Sequence, residues 1–119
     1  MIQIEKIDLR AAAEKLSAYW TQEMLGSANG SLFKVVRGKD ATNWHAHSDE
    51  DEVFLVLQGE LVVQLRDRDV QLKQGELFIV PSGVEHCPKA ANGEDVLLLV
   101  IGKSVTSTRE GGKPEWSFE

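Results

Sequence analysis

Apolar and polar residues alternate along most of the chain from residue 31 onward, in short runs that are separated by turn-forming residues. Leu61, Val63 and Leu65, for example, alternate with polar residues in the run 60–66. A period of two is typical of a strand with one packed and one solvated face. Such runs predict strands at 32–36, 42–46, 52–57, 60–66, 70–72, 77–80, 84–87 and 96–101. Many short, evenly spaced strands favour an all-β barrel or sandwich over a sheet with crossover helices.

The region before residue 31 has a different pattern. Asp8 is a typical helix N-cap. The stretch 26–30, which begins and ends with glycine, is expected to break the helix that starts after Asp8. Ile2 and Ile4 alternate with polar residues and predict a short edge strand. A helix is predicted over residues 9–20, because apolar residues recur there at spacings of three and four: Leu9, Ala12, Ala13, Leu16 and Trp20.

The run 96–101 is apolar at every position, so neither of its faces is suited to water. A strand of this kind lies within a sheet and is covered on both sides. We expect the covering element to be the N-terminal helix or a second subunit. The second possibility predicts a homodimer.

The chain has 119 residues, which suits one domain: an N-terminal strand and helix (1–30), a barrel (31–103) and a tail (104–119). Its formal net charge of -6 argues against nucleic-acid and membrane-surface partners. Cys87 is the single cysteine, so a disulfide framework is excluded. The first residues lack the apolar core of a secretory signal, and we therefore expect a cytoplasmic protein.

The three histidines of the chain are placed as metal ligands would be. His45 and His47 are two residues apart on a predicted strand, so their side chains point to the same face. Glu52 begins the next apolar strand, and His86 follows a proline–glycine turn. Three imidazoles and one carboxylate suit Fe, Mn, Ni, Zn or Cu. Each histidine could instead be a solvated surface residue.

The neighbours of these residues are assigned from parity and context. Three acidic residues between His47 and Glu52 are expected to lie in solvent: Asp49, Glu50 and Asp51. Cys87 follows His86 directly, so it should face the opposite side as a small buried hydrophobe. A pocket beside the metal would be lined by Asn43, Phe54 and Val56.

Two stretches of the chain resemble the two motifs of the cupin superfamily. The first has His-x-His, four residues, Glu, six residues and Gly: His45, His47, Glu52 and Gly59. The second has Gly, five residues, Pro-x-Gly, two residues and His: Gly75, Pro81, Gly83 and His86. The leading Gly38 lies one residue too far from His45, and Ala90 stands where the second motif usually ends on Asn.

The resemblance implies a double-stranded β-helix, the small jelly-roll-like cupin barrel, with the N-terminal helix added. More closely, the chain is similar to small single-domain bacterial cupins of the mannose-6-phosphate isomerase-related group. The resemblance also implies that His45, His47, Glu52 and His86 hold a divalent metal, and that a small molecule is the substrate of a dioxygenase or isomerase. A non-catalytic, metal-containing cupin that binds or senses a small molecule or sugar is the alternative.

Overall fold

A computed structural model describes residues 4–103 of the chain. The described part contains one helix, α1 (Leu9–Ala13), and eight strands. The strands are β1 (Gln22–Ala28), β2 (Ser31–Gly38), β3 (Glu52–Gln58), β4 (Leu61–Leu65), β5 (Asp69–Leu72), β6 (Leu77–Val80), β7 (His86–Ala90) and β8 (Val96–Gly102). They form a five-stranded sheet in the order β1-β2-β8-β3-β6 and a three-stranded sheet in the order β5-β4-β7, with antiparallel pairing throughout. The predicted all-β fold with an N-terminal helix is confirmed.

The main core lies between the two sheets. On β3 the alternation is clear, because Phe54 and Val56 are buried whereas Val53 and Leu55 are partly exposed. Leu98 of β8 is completely buried, and burying a leucine side chain contributes about 1.5–3 kcal/mol. The same core includes Val36, Leu61, Val63, Val80, Val96 and Val100.

One face of the doubly apolar strand β8 is covered by the main core, and the opposite face is covered only in part. Leu98 and Val100 face the main core. Leu97 faces the opposite way and packs with Val35 of β2 and Ala13 of α1 in a second, smaller cluster. The helix is therefore one cover of this strand, and the predicted second subunit stays a prediction.

The helix ends at Ala13 and is therefore shorter than the predicted range of 9–20. Trp20 has a left-handed backbone, with φ 63°, which no α-helix accommodates. Its amide donates to the Arg37 carbonyl at 2.8 Å, and its indole nitrogen donates to the Lys39 carbonyl at 3.0 Å. Burial of the indole against β2 thus takes precedence over the helical period. No helix within residues 4–103 has the length and apolar character that crossing a membrane requires.

The stretch 26–30 is part of a hairpin that the sequence reading did not predict. β1 runs through Gly26 to Ala28 and pairs with β2, with a register shift between Met24 and Gly26. Asn29 and Gly30 form the tip, with φ values of 52° and 80°. Two successive residues with positive φ are typical of a tight two-residue hairpin turn. At the N-terminus Ile4 lies outside any strand, and Ile2 lies outside the described residues, as does the predicted tail 104–119.

Two predicted strands differ from the structure, while the other six agree within one or two residues at each end. Residues 42–46 form no continuous strand, because the segment between β2 and β3 pairs with β7 of the other sheet only through isolated bridges at Ala41 and His45. The strand predicted at 84–87 begins at His86 instead. Before it, the Val84 amide donates to the Pro81 carbonyl at 3.2 Å in a turn, which delays the extended backbone by two residues.

Candidate metal centre

The structure brings the four predicted ligand residues together inside the barrel. His45 and His47 lie in the segment between β2 and β3, Glu52 is the first residue of β3, and His86 is the first residue of β7. All four side chains are buried, and one ligand atom from each lies within 4.8 Å of the others. The site thus joins both sheets, since β3 and β7 belong to different ones.

Backbone pairing fixes how these residues converge. His45 and His86 exchange two backbone hydrogen bonds, of 3.0 and 2.9 Å. Their ring centroids consequently lie 4.3 Å apart. The His47 carbonyl accepts from the amide of Gly83, at 2.7 Å, in the turn that leads to His86. Gly83 has φ 81°, a conformation that glycine adopts at little cost.

Two of the imidazoles have a defined tautomer. Nδ1 of His45 lies 2.7 Å from the Asn43 carbonyl, and Nδ1 of His86 lies 2.8 Å from the Val84 carbonyl. A carbonyl oxygen only accepts, so Nδ1 carries the proton in both rings. In the neutral imidazole, Nε2 then keeps its lone pair. This arrangement is the usual one behind a metal-bound histidine.

The Nε2 atoms of His47 and His86 converge on the Glu52 carboxylate. Nε2 of His86 lies 3.2 Å and Nε2 of His47 lies 3.5 Å from Oε1 of Glu52. Nε2 of His47 is buried and lacks a hydrogen-bond partner of good geometry among the described residues. A proton on one ring would satisfy a single contact, whereas one cation would satisfy all of them. The residues present therefore fit a divalent metal ion.

The ionisation states also suit a cation. Burial raises the pKa of Glu52, but the contacts with His47 and His86 outweigh burial and hold that pKa well below its usual range. Burial and the adjacent His86 lower the pKa of His45 to about 4. Burial opposes a charge on His47, yet the Glu52 carboxylate raises the pKa of His47 overall. At neutral pH, Glu52 is ionised and His45 is neutral, as ligation requires.

A small cavity adjoins the cluster. It has a volume of about 20 Å³, which is room for one water molecule. Of the residues predicted to line a pocket, Phe54 lies on its wall, Val56 lies in the main core, and Asn43 supplies the carbonyl that holds His45. The wall also includes Trp20, Gln22, Val36, Thr42, His45, Glu52, Pro88, Leu98 and Val100.

One prediction about the acidic loop is wrong. Asp49 and Asp51 are exposed, as expected, but Glu50 is only 6% exposed. Its Oε1 accepts a hydrogen bond of 2.9 Å from the amide of Lys103, just after β8. Glu50 therefore points into the protein, where the backbone amide of Lys103 is its hydrogen-bond partner. Cys87 is buried, in agreement with its predicted role as a small hydrophobe.

Lys34 is a further buried residue near the site that the motifs do not predict, and its side chain is 0% exposed. Lys34 shares the inward face of β2 with Val36. Burial lowers the pKa of Lys34, while the charges of Glu52 and Glu50 oppose that change. Lys34 lies two residues before Val36 in the otherwise apolar run 32–36, and this spacing could have indicated that its side chain points inward.

These features define a class: a two-sheet β-barrel with a buried cluster of three histidines and one glutamate that suits a metal ion. Comparison with protein families gives a match to the cupin domain over residues 31–102. The chain belongs to this family, and its fold is the cupin double-stranded β-helix.

Individual proteins agree with the family assignment. The chain is 40% identical over 80 residues to the Bacillus subtilis protein YdbB, covering 66% of this chain and 71% of that protein. It is 31% identical over 75 residues to a 3-hydroxyanthranilate 3,4-dioxygenase from Xanthomonas campestris, covering 60% of this chain. The chain spans 43% of the length of that dioxygenase. A cupin-2 domain protein from Shewanella frigidimarina is similar in structure, with a TM-score of 0.75, 33% identity, and coverage of 80% of this chain and 91% of that one.

Proposed function

We propose that this cupin is a divalent-metal-dependent enzyme of the dioxygenase type that acts on a small molecule. The observation that carries the proposal is the approach of Nε2 of His47 and Nε2 of His86 to the same Glu52 oxygen in a buried site. Without a cation, His86 Nε2 at 3.2 Å from Glu52 Oε1 sets electron pairs against each other unless the ring is protonated. Such an arrangement is costly in a buried site and is relieved by a shared positive charge.

Each residue of the site has a separate task in this proposal. His45, His47, His86 and Glu52 would hold the ion, and the carbonyls of Asn43 and Val84 keep two of the imidazoles oriented. A bound divalent ion supplies Lewis acidity toward oxygen ligands, with electron transfer added where the ion is iron. Phe54, Leu98 and Val100 give the cavity an apolar wall, and a lower local dielectric strengthens polar interactions beside it.

The likeness to the 3-hydroxyanthranilate 3,4-dioxygenase supports the choice of the dioxygenase type. That relative is much longer than the matched region, so its substrate serves here as a first compound to test. An isomerase of the mannose-6-phosphate isomerase-related type stays a prediction from the motifs. It would need a metal that acts without redox chemistry, such as Zn or Mn.

Metal analysis followed by oxygen uptake tests the proposal. The protein is purified without added metal, analysed for Fe, Mn, Ni and Zn, and then loaded with Fe(II) under argon. We expect stoichiometric binding, and oxygen consumption with 3-hydroxyanthranilate, a catechol or a β-diketone. The variant Glu52→Gln should lose both properties. A protein that takes up none of the four metals would overturn the proposal.

The cavity wall favours one alternative, a cupin that binds or senses a small molecule or sugar without turnover. Among the described residues, the only titratable side chains on this wall are His45 and Glu52, and both are predicted metal ligands, so no separate acid or base lines the cavity. Calorimetric titration of the metal-loaded protein with candidate ligands distinguishes the two cases. Saturable binding without oxygen uptake or product formation favours the binding protein.

A further inference from the structure

Two buried charged side chains lie next to the metal cluster without belonging to it. Lys34 on β2 is 0% exposed, and Glu50 in the loop before β3 is 6% exposed. Lysine and glutamate are almost never buried to this degree without partners. Burying a charge is costly, so their positions call for an explanation. Neither residue belongs to the two motifs described above.

Both side chains meet at one glycine. A Cβ atom added to Gly102 would lie 3.6 Å from Nζ of Lys34 and would overlap Oε1 of Glu50. Gly102 ends β8, and the next amide, that of Lys103, donates to Oε1 of Glu50 at 2.9 Å. The carboxylate of Glu50 therefore joins its loop to the end of β8, immediately beside the ammonium of β2.

This loop is the connection between two of the metal-site residues. It carries Glu50 midway between His47 and Glu52 in the sequence. Lys34 also lies close enough to the cluster for its charge to interact with the charge of Glu52. Glu50 therefore holds the loop that carries these ligands against the end of β8, and the charge of Lys34 acts on Glu52.

We propose that Lys34 and Glu50 are positioning residues, which fix the loop between His47 and Glu52 so that both side chains reach one divalent cation. This inference rests on the proposed metal site and adds a second layer of support to it. Partners of metal ligands typically contribute 10–100-fold to metal affinity. We expect an effect of about that size here, although neither residue would contact the ion.

The test measures the affinity for Co(II), by visible absorption and by competition with a chelator, in the wild type, Lys34→Met, Glu50→Gln and the double variant. We expect each single substitution to weaken binding about 10–100-fold. In the double variant neither Lys34 nor Glu50 is left without the opposite charge of the other, so the metal-free double variant should be more stable to thermal unfolding than either single variant. Its affinity should nevertheless stay low, and its Co(II) absorption bands should be altered.

The neighbouring loop residues provide matched controls. Asp49→Asn and Asp51→Asn remove one exposed negative charge each and should change the affinity by less than about 3-fold. Gly102→Ala changes no charge but places a methyl group against the Glu50 carboxylate, so it should weaken binding as Glu50→Gln does. Gly26→Ala, whose added methyl would meet only an ordinary contact at 3.9 Å, is its control.

The outcomes separate the inference from the proposed function. Variants with wild-type affinity and spectrum but a lower melting temperature would overturn the inference, since Lys34 and Glu50 would then only stabilise the fold. Equal losses in Asp51→Asn and Glu50→Gln would overturn it too, because any loop charge would then suffice. A wild type that binds no Co(II) would instead overturn the proposed metal site itself.

Discussion

Glu52 is the carboxylate that contacts two of the buried histidines and interacts with the buried Lys34. Its Oε1 lies within 3.5 Å of two imidazole nitrogens, and its charge acts on Lys34 as well. Asp51 is the preceding residue and is exposed, with its Oδ1 accepting from the Ser82 amide at 2.9 Å. Two adjacent carboxylates thus have entirely different surroundings, which gives a sharp comparison.

Glu52→Gln should weaken divalent-metal binding by more than about 100-fold, beyond the range expected for an outer partner of a ligand. The substitution removes the only carboxylate of the cluster and leaves a neutral amide among the imidazoles. Asp51→Asn should be close to neutral, because asparagine still accepts from Ser82. Isothermal titration with Zn(II) measures both. Similar affinities for the two variants would contradict the choice of Glu52 as the oxygen ligand.

The metal-free protein should lose stability as the pH falls from 6.5 to 4. The pKa of His45 is about 4 in the folded protein against 6.5 ordinarily, so in this window the unfolded chain binds a proton that the folded one does not. At pH 5 the loss is at most about 2 kcal/mol. The raised pKa of His47 acts oppositely, but its stabilising contribution is already complete below pH 6.5. Urea unfolding of the wild type should show this slope, and His45→Gln should flatten it.

The positions of individual site residues could be predicted from the sequence where spacing alone determines the direction of their side chains. The His-x-His pair, Glu52 and His86 were found because the strand period and the turn before His86 fix their directions. Glu50 was misplaced because its burial depends on Lys103 and Gly102, about fifty residues away. No local pattern records such a partner.

Among the elements, the connection between α1 and β1 is the most unusual. Trp20 leaves the helical pattern and lays its ring on Gly38 of β2. A Cβ atom at Gly38 would lie 2.5–2.8 Å from three atoms of that ring. The close approach explains both the shortened helix and the glycine at the end of the strand.

Gly38→Ala should therefore destabilise the protein by about 1–3 kcal/mol, the usual cost of overpacking. The methyl group would force the indole off β2 and disturb its hydrogen bond to the Lys39 carbonyl. Urea unfolding, followed by circular dichroism, measures the loss. Gly26→Ala serves as the reference, and equal stability of the two variants would show that the indole moves freely.

The elements that could be predicted are those whose pattern is local. Six of the eight predicted strands agree closely because alternation and turn residues suffice to define them. The predicted helix is too long because Leu16 and Trp20 continue the helical spacing of apolar residues. In the structure both residues lie beyond the helix, where Leu16 packs against the smaller cluster and Trp20 against the main core. β1 was missed because Gly26 and the hairpin tip at Asn29 and Gly30 were read together as one break.

At the scale of the whole molecule, the outer face of the five-stranded sheet has apolar residues on several adjacent strands. Leu77 and Ile79 of β6 are 56% and 51% exposed. Leu99 and Ile101 of β8 are partly exposed on the same face, beyond the area that α1 covers. Contiguous apolar surface of this kind is typical of protein–protein contacts.

We predict that this face pairs with a second copy of the chain, as a homodimer. Leu77→Glu should convert the dimer to a monomer, because it places a charge in an apolar contact. Gln74→Glu adds the same charge at an exposed turn and should leave the dimer intact. Light scattering reports the mass of each variant. A monomeric wild type at micromolar concentration would contradict the prediction.

A cytoplasmic location stays an expectation from the sequence.

The His45–His86 bridge places the cluster across the seam between the sheets, and this has a thermodynamic consequence. An ion held there acts as a crosslink, since the sheets cannot part without releasing it. Loading and folding are then coupled, and a metal at 100 times its dissociation constant adds about 2.7 kcal/mol to the free energy of unfolding. Melting curves recorded over a series of metal concentrations would thus rank Fe, Mn, Ni and Zn by affinity before any substrate is known.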